Sequence, residues 1–354
     1  MAIDTIEYSK RVAIFVAIAL VPVLVWFLFD VVLIGVGAIL IAVLLQVAAE
    51  PFERMRLPKW IALVLSGILI FCVVGGAIYL FGTGIGSELQ EVIQRVEEGK
   101  NSIRESLQQS QFGKTLLANA QSMNIPFAQM VSEFLSLGAA FLGGIVVMVF
   151  TGLYLAAQPR LYQWGVRILF PPGMRAEASE TLMYLGGALR LWLLGQLIEM
   201  LIIGVLTGFA VWLVGLPSPF VLGVIAGVAE FVPYLGPIIA AIPAILVAVT
   251  VSLQAVFWTT VAYIIIHQFE GHLIMPLIQR RMVYIPPAVM LMSIVALTSL
   301  FGLKATIFAA PITVILFVIV SKLYVRDSLE EQVMIPGEKA ADVPESAEFE
   351  ANSK

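Results

Sequence analysis

Residues 219–250 read PFVLGVIAGVAEFVPYLGPIIAAIPAILVAVT, an apolar stretch that prolines and a glycine interrupt near its middle. A helix needs about 20 apolar residues to cross the roughly 30 Å hydrocarbon core of a bilayer. The part before the first internal proline, residues 219–232, is shorter than that, and its length is typical of re-entrant segments. The stretch therefore predicts a broken helical hairpin that enters and leaves the membrane on the same side.

The composition of the whole chain explains why a membrane is the relevant solvent. Of its 354 residues, 60% are hydrophobic and only 12% are charged, whereas soluble domains carry about 25% charged residues. Lipid offers no hydrogen-bond partner to the backbone, so apolar runs of this length must be helical. Runs of nearly spanning length are 12–29, 31–49, 60–82, 136–157, 191–214 and 254–270.

The sequence thus predicts an all-α polytopic membrane protein with about six full transmembrane helices and two broken or re-entrant hairpins, or eight or so spans. The second broken stretch is 286–321, interrupted near Gly302, and it forms either a hairpin from the opposite face or two short full spans. Two opposed broken hairpins are typical of inverted-repeat transporters. In both stretches two prolines stand 24 residues apart, although chance spacing explains this equally well: Pro219 and Pro243, Pro287 and Pro311.

Four regions follow from these patterns. We predict N-terminal transmembrane helices in 1–82, an amphipathic extramembrane arm in 83–135, a transport core in 136–325 and an acidic disordered tail in 326–354. The arm shows apolar residues at helical spacing among polar ones, and a turn-like Gly99-Lys100-Asn101 punctuates it. Its periodic apolar residues are Leu89, Val92, Ile93, Val96, Ile103 and Leu107.

Basic residues in short loops favour the cytoplasm and so predict the orientation. Lys10 and Arg11 place the N-terminus inside, and Lys322 and Arg326 place the C-terminus inside as well. Arg280-Arg281 falls inside only if 219–250 returns to the side from which it entered. The charge pattern therefore favours the hairpin over a single crossing.

Beyond these patterns, a specific set of motifs resembles a known family. They are Glu230-Phe-Val-Pro-Tyr-Leu-Gly-Pro237 with Ile242-Pro243-Ala244, Gly204-Val-Leu-Thr-Gly208, Glu270-Gly271 before Met275-Pro276, and Phe301-Gly302 before Ala310-Pro311. With this order over about residues 10–325, the chain resembles the AI-2E (autoinducer-2 exporter, PerM-like) transporters. The resemblance implies a homo-oligomer in a bacterial inner membrane. It implies export of autoinducer-2, as in some members, or exchange of sodium or lithium for protons, as in others. Lys304-Ala305 is a departure, because members often carry a second glycine there.

Charged residues inside apolar runs are the candidate site, since intramembrane charge is costly and functional by default. Glu230 stands at the break of the first hairpin, although it could simply cap the second half-helix. Glu199 shares a face with Gly195 and Gln196, although it could simply hold helices together. Lys304 would pair with Glu230 if the two hairpin tips met, although its stem could equally reach the interface. The predicted substrate or ion path is Glu230, Pro233, Tyr234, Gly236, Glu199, Gln196, Gly302 and Lys304.

No metal or cofactor is expected. Five residues separate His267 from His272, about 500° of helix, so the two do not share a face, and no His-Glu-x-x-His pattern includes Glu270. The net charge of −4 gives no case for nucleic acid. The expected partners are the lipid bilayer and a small polar solute or a monovalent cation with a proton.

Transport is accordingly the predicted function. The leading hypothesis is a secondary transporter that exports a small polar metabolite such as autoinducer-2, and the alternative is a sodium (or lithium)/proton antiporter. An intramembrane enzyme is not expected, because no Gly-x-Ser-x-Gly turn is present. A scaffold or receptor subunit working through the 83–135 arm is the remaining alternative.

Overall fold

The structure is a computed structural model, which describes residues 26–108, 144–279, 285–331 and 333–338. Within these ranges the chain is a series of helices joined by short turns. They are α1 (Phe29–Arg54), α2 (Lys59–Gln108), α3 (Gly144–Ala157), α4 (Pro159–Ile168), α5 (Arg175–Val214), α6 (Pro219–Ala229), α7 (Gly236–Val251), α8 (Leu253–Phe269), α9 (Met275–Gln279), α10 (Pro287–Phe301) and α11 (Leu303–Ile319). A π-helical turn, Glu270–Ile274, joins α8 to α9, and another, Val320–Arg326, extends α11.

Three helical stretches in the described residues are long and apolar enough to cross a membrane: Phe29–Arg54, Pro172–Val214 and Leu303–Arg326. A fourth is obtained if α3 and α4, which meet at 93°, form one broken span. Helices α6, α7 and α10 are apolar but shorter. Most of the predicted 12–29 span and the beginning of the 136–157 span lie outside the described residues.

Residues 109–135 of the predicted arm lie outside the described residues, and the rest of the arm belongs to helix α2. It runs for 50 residues without a break, so the predicted span and the first part of the arm are one helix. Gly99-Lys100-Asn101 does not interrupt it. A Cβ at Gly99 would collide with the Leu246 carbonyl oxygen of α7, so this glycine serves close helix packing instead. Val92 and Val96 are buried in the apolar cluster against which Leu246 also packs, so this part of the arm packs against the core.

The second broken stretch divides at Gly302, as predicted. Gly302 has φ +76° and ψ −168°, a region open essentially only to glycine. Helices α10 and α11 then run antiparallel, since Thr298 Oγ1 lies 2.7 Å from Thr306 Oγ1 across the break. Together with its π-helical extension α11 reaches 24 residues and is long enough to cross. The two broken stretches are therefore unequal, and only the first has two short arms.

Part of the predicted disordered tail is docked on the helices. Glu338 receives two hydrogen bonds from Arg326, at 2.8 and 2.7 Å, and Ile335 is only 1% exposed. Gly337 lies against the backbone of Tyr184 and Ala188 in α5. Residues 333–338 therefore belong to the folded unit, and 339–354 lie outside the described residues.

Candidate functional site at the hairpin tip

Helix α6 runs along α5 through glycines on both partners. Gly204 and Gly208 of α5 face Gly223 and Gly227 of α6, and a Cβ at Gly223 would lie 2.7 Å from the Gly204 carbonyl oxygen and 2.8 Å from the Gly208 Cα. Glycines four residues apart let two membrane helices approach closely. The pairing is antiparallel and carries the chain from the end of α5 back along it.

Both ends of the hairpin lie against one short stretch of α2. Ser218 Oγ, just before α6, donates to Glu91 Oε2 at 3.1 Å. Thr250 Oγ1, near the end of α7, accepts from Arg95 Nη1 at 3.3 Å. Four helical residues span only about 6 Å, so the chain enters and leaves this region at nearly the same level. The two ends of 219–250 therefore lie close together, as a hairpin requires.

The tip between α6 and α7 is anchored to α5. Gln196 Nε2 donates to the Glu230 carbonyl oxygen at 2.8 Å, and the rings of Trp192 and Phe231 meet edge to face with centroids 6.0 Å apart. A broken helix leaves backbone carbonyls without intrahelical partners, which must be satisfied inside the protein. Gln196 satisfies one of them, so its observed contact is with the tip backbone.

The tip is also shaped by two unusual backbone positions. Tyr234 has φ +66°, an uncommon conformation for a residue with a side chain, and its side chain packs on the central apolar cluster. A Cβ at Gly236 would lie 2.6 Å from the Ala229 carbonyl carbon and 2.8 Å from the Glu230 Cα. Only glycine lets α7 start so close to the end of α6. Pro233, between them, accepts a hydrogen bond from the Leu235 amide at 2.8 Å.

Two acidic side chains are buried at this tip. Glu230 is 2% exposed and Glu199 is 7% exposed. Among the described residues, neither Glu230 Oε2 nor Glu199 Oε1 has a hydrogen-bond partner. Glu230 does not cap the second half-helix, because the N-cap position of α7 is Leu235 and no side chain caps the helix there. It lies instead at the carboxyl end of α6, where the helix dipole disfavours negative charge.

A third acidic residue lies near the pair, and the predicted path did not include it. Glu270, at the π-helical turn after α8, is close enough to interact electrostatically with both Glu199 and Glu230. Its Oε2 lies 2.6 Å from His267 Nδ1, and π-turns are frequent at functional sites. His267 Nε2 is buried and has no partner among the described residues. The available signal was an acidic residue three positions after a histidine in an apolar helix.

The histidines themselves do not converge. The exposed His272 contacts the Gln268 carbonyl oxygen at 2.9 Å. Across the described ranges, no three His, Cys, Asp or Glu side chains come close enough together to hold a metal ion.

The structure does not bring the two broken stretches together at their tips. Lys304 Nζ lies 3.6 Å from Asp30 Oδ1 at the start of α1, while Glu50 near the other end of α1 pairs with Arg190 at 2.5 Å. Glu50 is 20 residues, about 30 Å of helix, from Asp30. Gln196, which holds the Glu230 tip, is about 9 Å from Arg190 by the same measure. The suggested pairing of Lys304 with Glu230 is therefore wrong, and Gly302 lies at the Asp30 end.

Comparison with known proteins finds similarity to transport proteins. A family model described as AI-2E family transporter matches residues 13–325. The chain is 35% identical over 167 residues to the "Putative transport protein YrrI" of Bacillus subtilis (strain 168), a match that spans 47% of each chain. It is 25% identical over 267 residues to a "Putative transport protein" of Thermotoga maritima, covering 74% of this chain and 81% of the relative. It is 25% identical over 325 residues to the "Putative transport protein YueF" of Bacillus subtilis (strain 168), covering 82% and 86%.

Proposed function

Since the chain belongs to the AI-2E family of transporters, we propose that it is a secondary transporter whose solute and coupling ion pass the hairpin tip at Glu199 and Glu230. The family match supports transport by a multi-pass membrane protein. The choice of site rests on the geometry of the tip.

One observation carries the choice of site: buried oxygens of two neighbouring carboxylates have no partner within the described structure. On insertion scales a charged side chain at the centre of a membrane helix costs roughly 2.5–3.5 kcal/mol. A proton or a monovalent cation bound between the carboxylates removes much of that cost. Release of the ion restores it, so ion binding can be coupled to a movement of the hairpin against α5.

The glycine contacts between α5 and α6 indicate which helices could move against each other. Helices α5 and α6 touch through backbone atoms over two glycine pairs, with no large side chains interlocked at these points. Such a seam allows one helix to slide or rock against the other. In this proposal Gln196 keeps the tip backbone satisfied, while the carboxylates take up and release the ion.

Two substrate classes fit this site. Export of a small polar metabolite such as autoinducer-2 would use the unpaired carboxylates as acceptors for hydroxyl donors and would be driven by proton or cation movement. Exchange of sodium or lithium for protons would need only the carboxylates and is favoured by the third acidic group, Glu270, nearby. We place the protein in a bacterial inner membrane as a homo-oligomer with both termini in the cytoplasm, following its charge pattern and its family resemblance.

Reconstitution into proteoliposomes tests the proposal. Wild-type protein is assayed for autoinducer-2 flux and for sodium-dependent proton movement, beside Glu199→Gln and Glu230→Gln. Glutamine keeps the shape of the side chain but cannot exchange a proton, so coupled flux should fall to the level of empty liposomes in both variants. The exposed Glu98→Gln on α2 is the matched control and should retain wild-type flux.

The outcomes of this experiment distinguish the two substrate classes. Cation-coupled proton movement that depends on both carboxylates supports antiport, and autoinducer-2 flux that depends on them supports export. Unchanged flux in both variants, with either substrate, would show that the ion does not pass this tip.

A further inference from the structure

Away from the hairpin, a cavity of about 540 Å³ opens between α4 and the first turns of α5. Its lining residues include the apolar Trp164, Ile168 and Met183 and the basic Arg167 and Arg175. A cavity that is apolar on one side and carries two positive charges is suited to an amphipathic anion.

Helix α4 lies where such an anion would be a lipid. The apolar α3 packs beside α1, with Ala156 against Ala42 and Leu45, and the chain then bends by 93° into α4. If α3 crosses the bilayer, α4 lies along its surface. With α4 along the surface, the seam that borders the cavity lies at the level of lipid headgroups.

The residue pattern of α4 agrees with that position. Leu161, Trp164 and Ile168 share one helix face, and Arg160, Gln163 and Arg167 share a neighbouring face about 100° away around the helix. The apolar members are between 41% and 53% exposed. An amphipathic helix in which an apolar face with Trp and Leu adjoins a face with Arg is typical of the membrane interface.

The charges around the cavity leave a net positive wall. Glu180, its acidic member, is engaged by Lys322 Nζ at 3.1 Å and by the Tyr184 hydroxyl at 2.9 Å. Arg175 donates to the Phe170 carbonyl oxygen through Nε at 3.2 Å, a contact that does not use its terminal amino groups. Arginine forks match phosphate oxygens, and basic pockets on this kind of surface bind anionic lipid headgroups.

We propose that this cavity binds the headgroup phosphate of an anionic phospholipid, with its acyl chains along Leu161 and Trp164. The guanidinium groups of Arg167 and Arg175 hold the phosphate, and Trp164 and Met183 form the apolar wall. The site is separate from the hairpin tip and does not depend on the transported solute.

Native mass spectrometry of the purified full-length protein tests this inference. The protein is mixed with equal amounts of phosphatidylglycerol and phosphatidylcholine, and retained lipid adducts are counted. Wild type should retain phosphatidylglycerol preferentially. Arg167→Gln and Arg175→Gln should each weaken that preference about fivefold, which corresponds to about 1 kcal/mol for one basic residue at a lipid surface.

Two controls keep the test specific. Arg160→Gln removes a basic residue from the same helix but outside the cavity wall, and its preference should match wild type. Arg167→Lys and Arg175→Lys keep the charge and should retain most of the preference even if the glutamine variants misfold. Absence of preference in wild type, or an equal loss in Arg160→Gln, would overturn the proposal. So would displacement of the lipid by millimolar inorganic phosphate, because the ligand would then be a free anion.

Discussion

The glycine at position 236 sets how tightly the hairpin can turn. Gly236→Ala would place a methyl group against the backbone of Ala229 and Glu230, and backbone cannot move aside as a flexible side chain can. Overpacking of this kind costs about 1–3 kcal/mol. We expect a clear fall in the thermal unfolding temperature of the detergent-purified protein.

Gly186→Ala in α5 is the matched control, since a Cβ there would meet no atom within 4 Å. Alanine in an open helical position should raise stability slightly, by about 0.5–1 kcal/mol. Equal unfolding temperatures for the two variants would mean that the tip is not packed as described.

The side chain of Gln196 has a specific partner that a second substitution tests. Gln196→Leu keeps the approximate volume but leaves the Glu230 carbonyl oxygen without its donor at 2.8 Å. An unsatisfied buried acceptor costs about 1–3 kcal/mol, so the unfolding temperature should fall. The exposed Gln94→Leu on α2 should change stability by no more than about 0.5 kcal/mol, and a comparable loss there would remove the argument for a special role of Gln196.

At the residue scale, the predicted path role of Glu199 and Glu230 stays a prediction, and the sequence did not predict all of their surroundings. Both stand out in the sequence because charge is rare within apolar runs, and both side chains are buried. The contact of Gln196 with the Glu230 carbonyl oxygen, 34 residues later, could not be predicted from the sequence, because it depends on how α5 and α6 pair. The His267–Glu270 contact was missed because comparison with zinc motifs excluded a metal and left the pair without a role.

At the scale of the elements, the seam between α5 and α6 is the feature that positions the site. Gly223→Ala would bring a methyl group to 2.7 Å from the Gly204 carbonyl oxygen and 2.8 Å from the Gly208 Cα, so the two helices must separate. We expect a loss of about 1–3 kcal/mol and reduced coupled flux in proteoliposomes.

The control for that seam is Gly35→Ala in α1, where a Cβ meets nothing within 4 Å. Its stability and flux should match wild type. Full stability and full flux in Gly223→Ala would show that close contact between α5 and α6 is unnecessary.

Some helix boundaries could be predicted from the sequence pattern and others could not. The break at Gly302 was predicted correctly, because glycine before an apolar run is a reliable punctuation signal. The same logic failed at Gly99, where the glycine permits packing on α7 within an unbroken helix. Local composition does not distinguish a glycine that turns the chain from one that admits a neighbour. The unequal lengths of the arms around Gly302 were also missed, since π-helical extension to Arg326 leaves no clear sequence signal.

At the scale of the whole molecule, the segment after α11 ties the chain end to α5. Glu338, whose side chain is 1% exposed, forms a two-point ion pair with Arg326. Glu338→Ala removes a charge-assisted contact and should cost about 1.5–3 kcal/mol, with earlier proteolysis of the C-terminal segment. The exposed Glu331→Ala should leave unfolding and proteolysis unchanged; equal sensitivity of the two variants would argue against docking of this segment.

The central claim is that residues 219–250 leave the membrane on the side from which they enter. Lys59 is separated from Glu91 by 32 residues of one helix, about 48 Å, so the two hairpin ends held near Glu91 and Arg95 must face away from Lys59. Single cysteines replacing Pro217, Ser252 or Lys59 report this directly, in a Cys72→Ser background because Cys72 is exposed.

Labelling with a membrane-impermeant maleimide in vesicles of known orientation is the decisive measurement. We expect Pro217→Cys and Ser252→Cys to react from the same side and Lys59→Cys to react from the other. Reaction of Pro217→Cys and Ser252→Cys from opposite sides would contradict the hairpin and the site built on its tip.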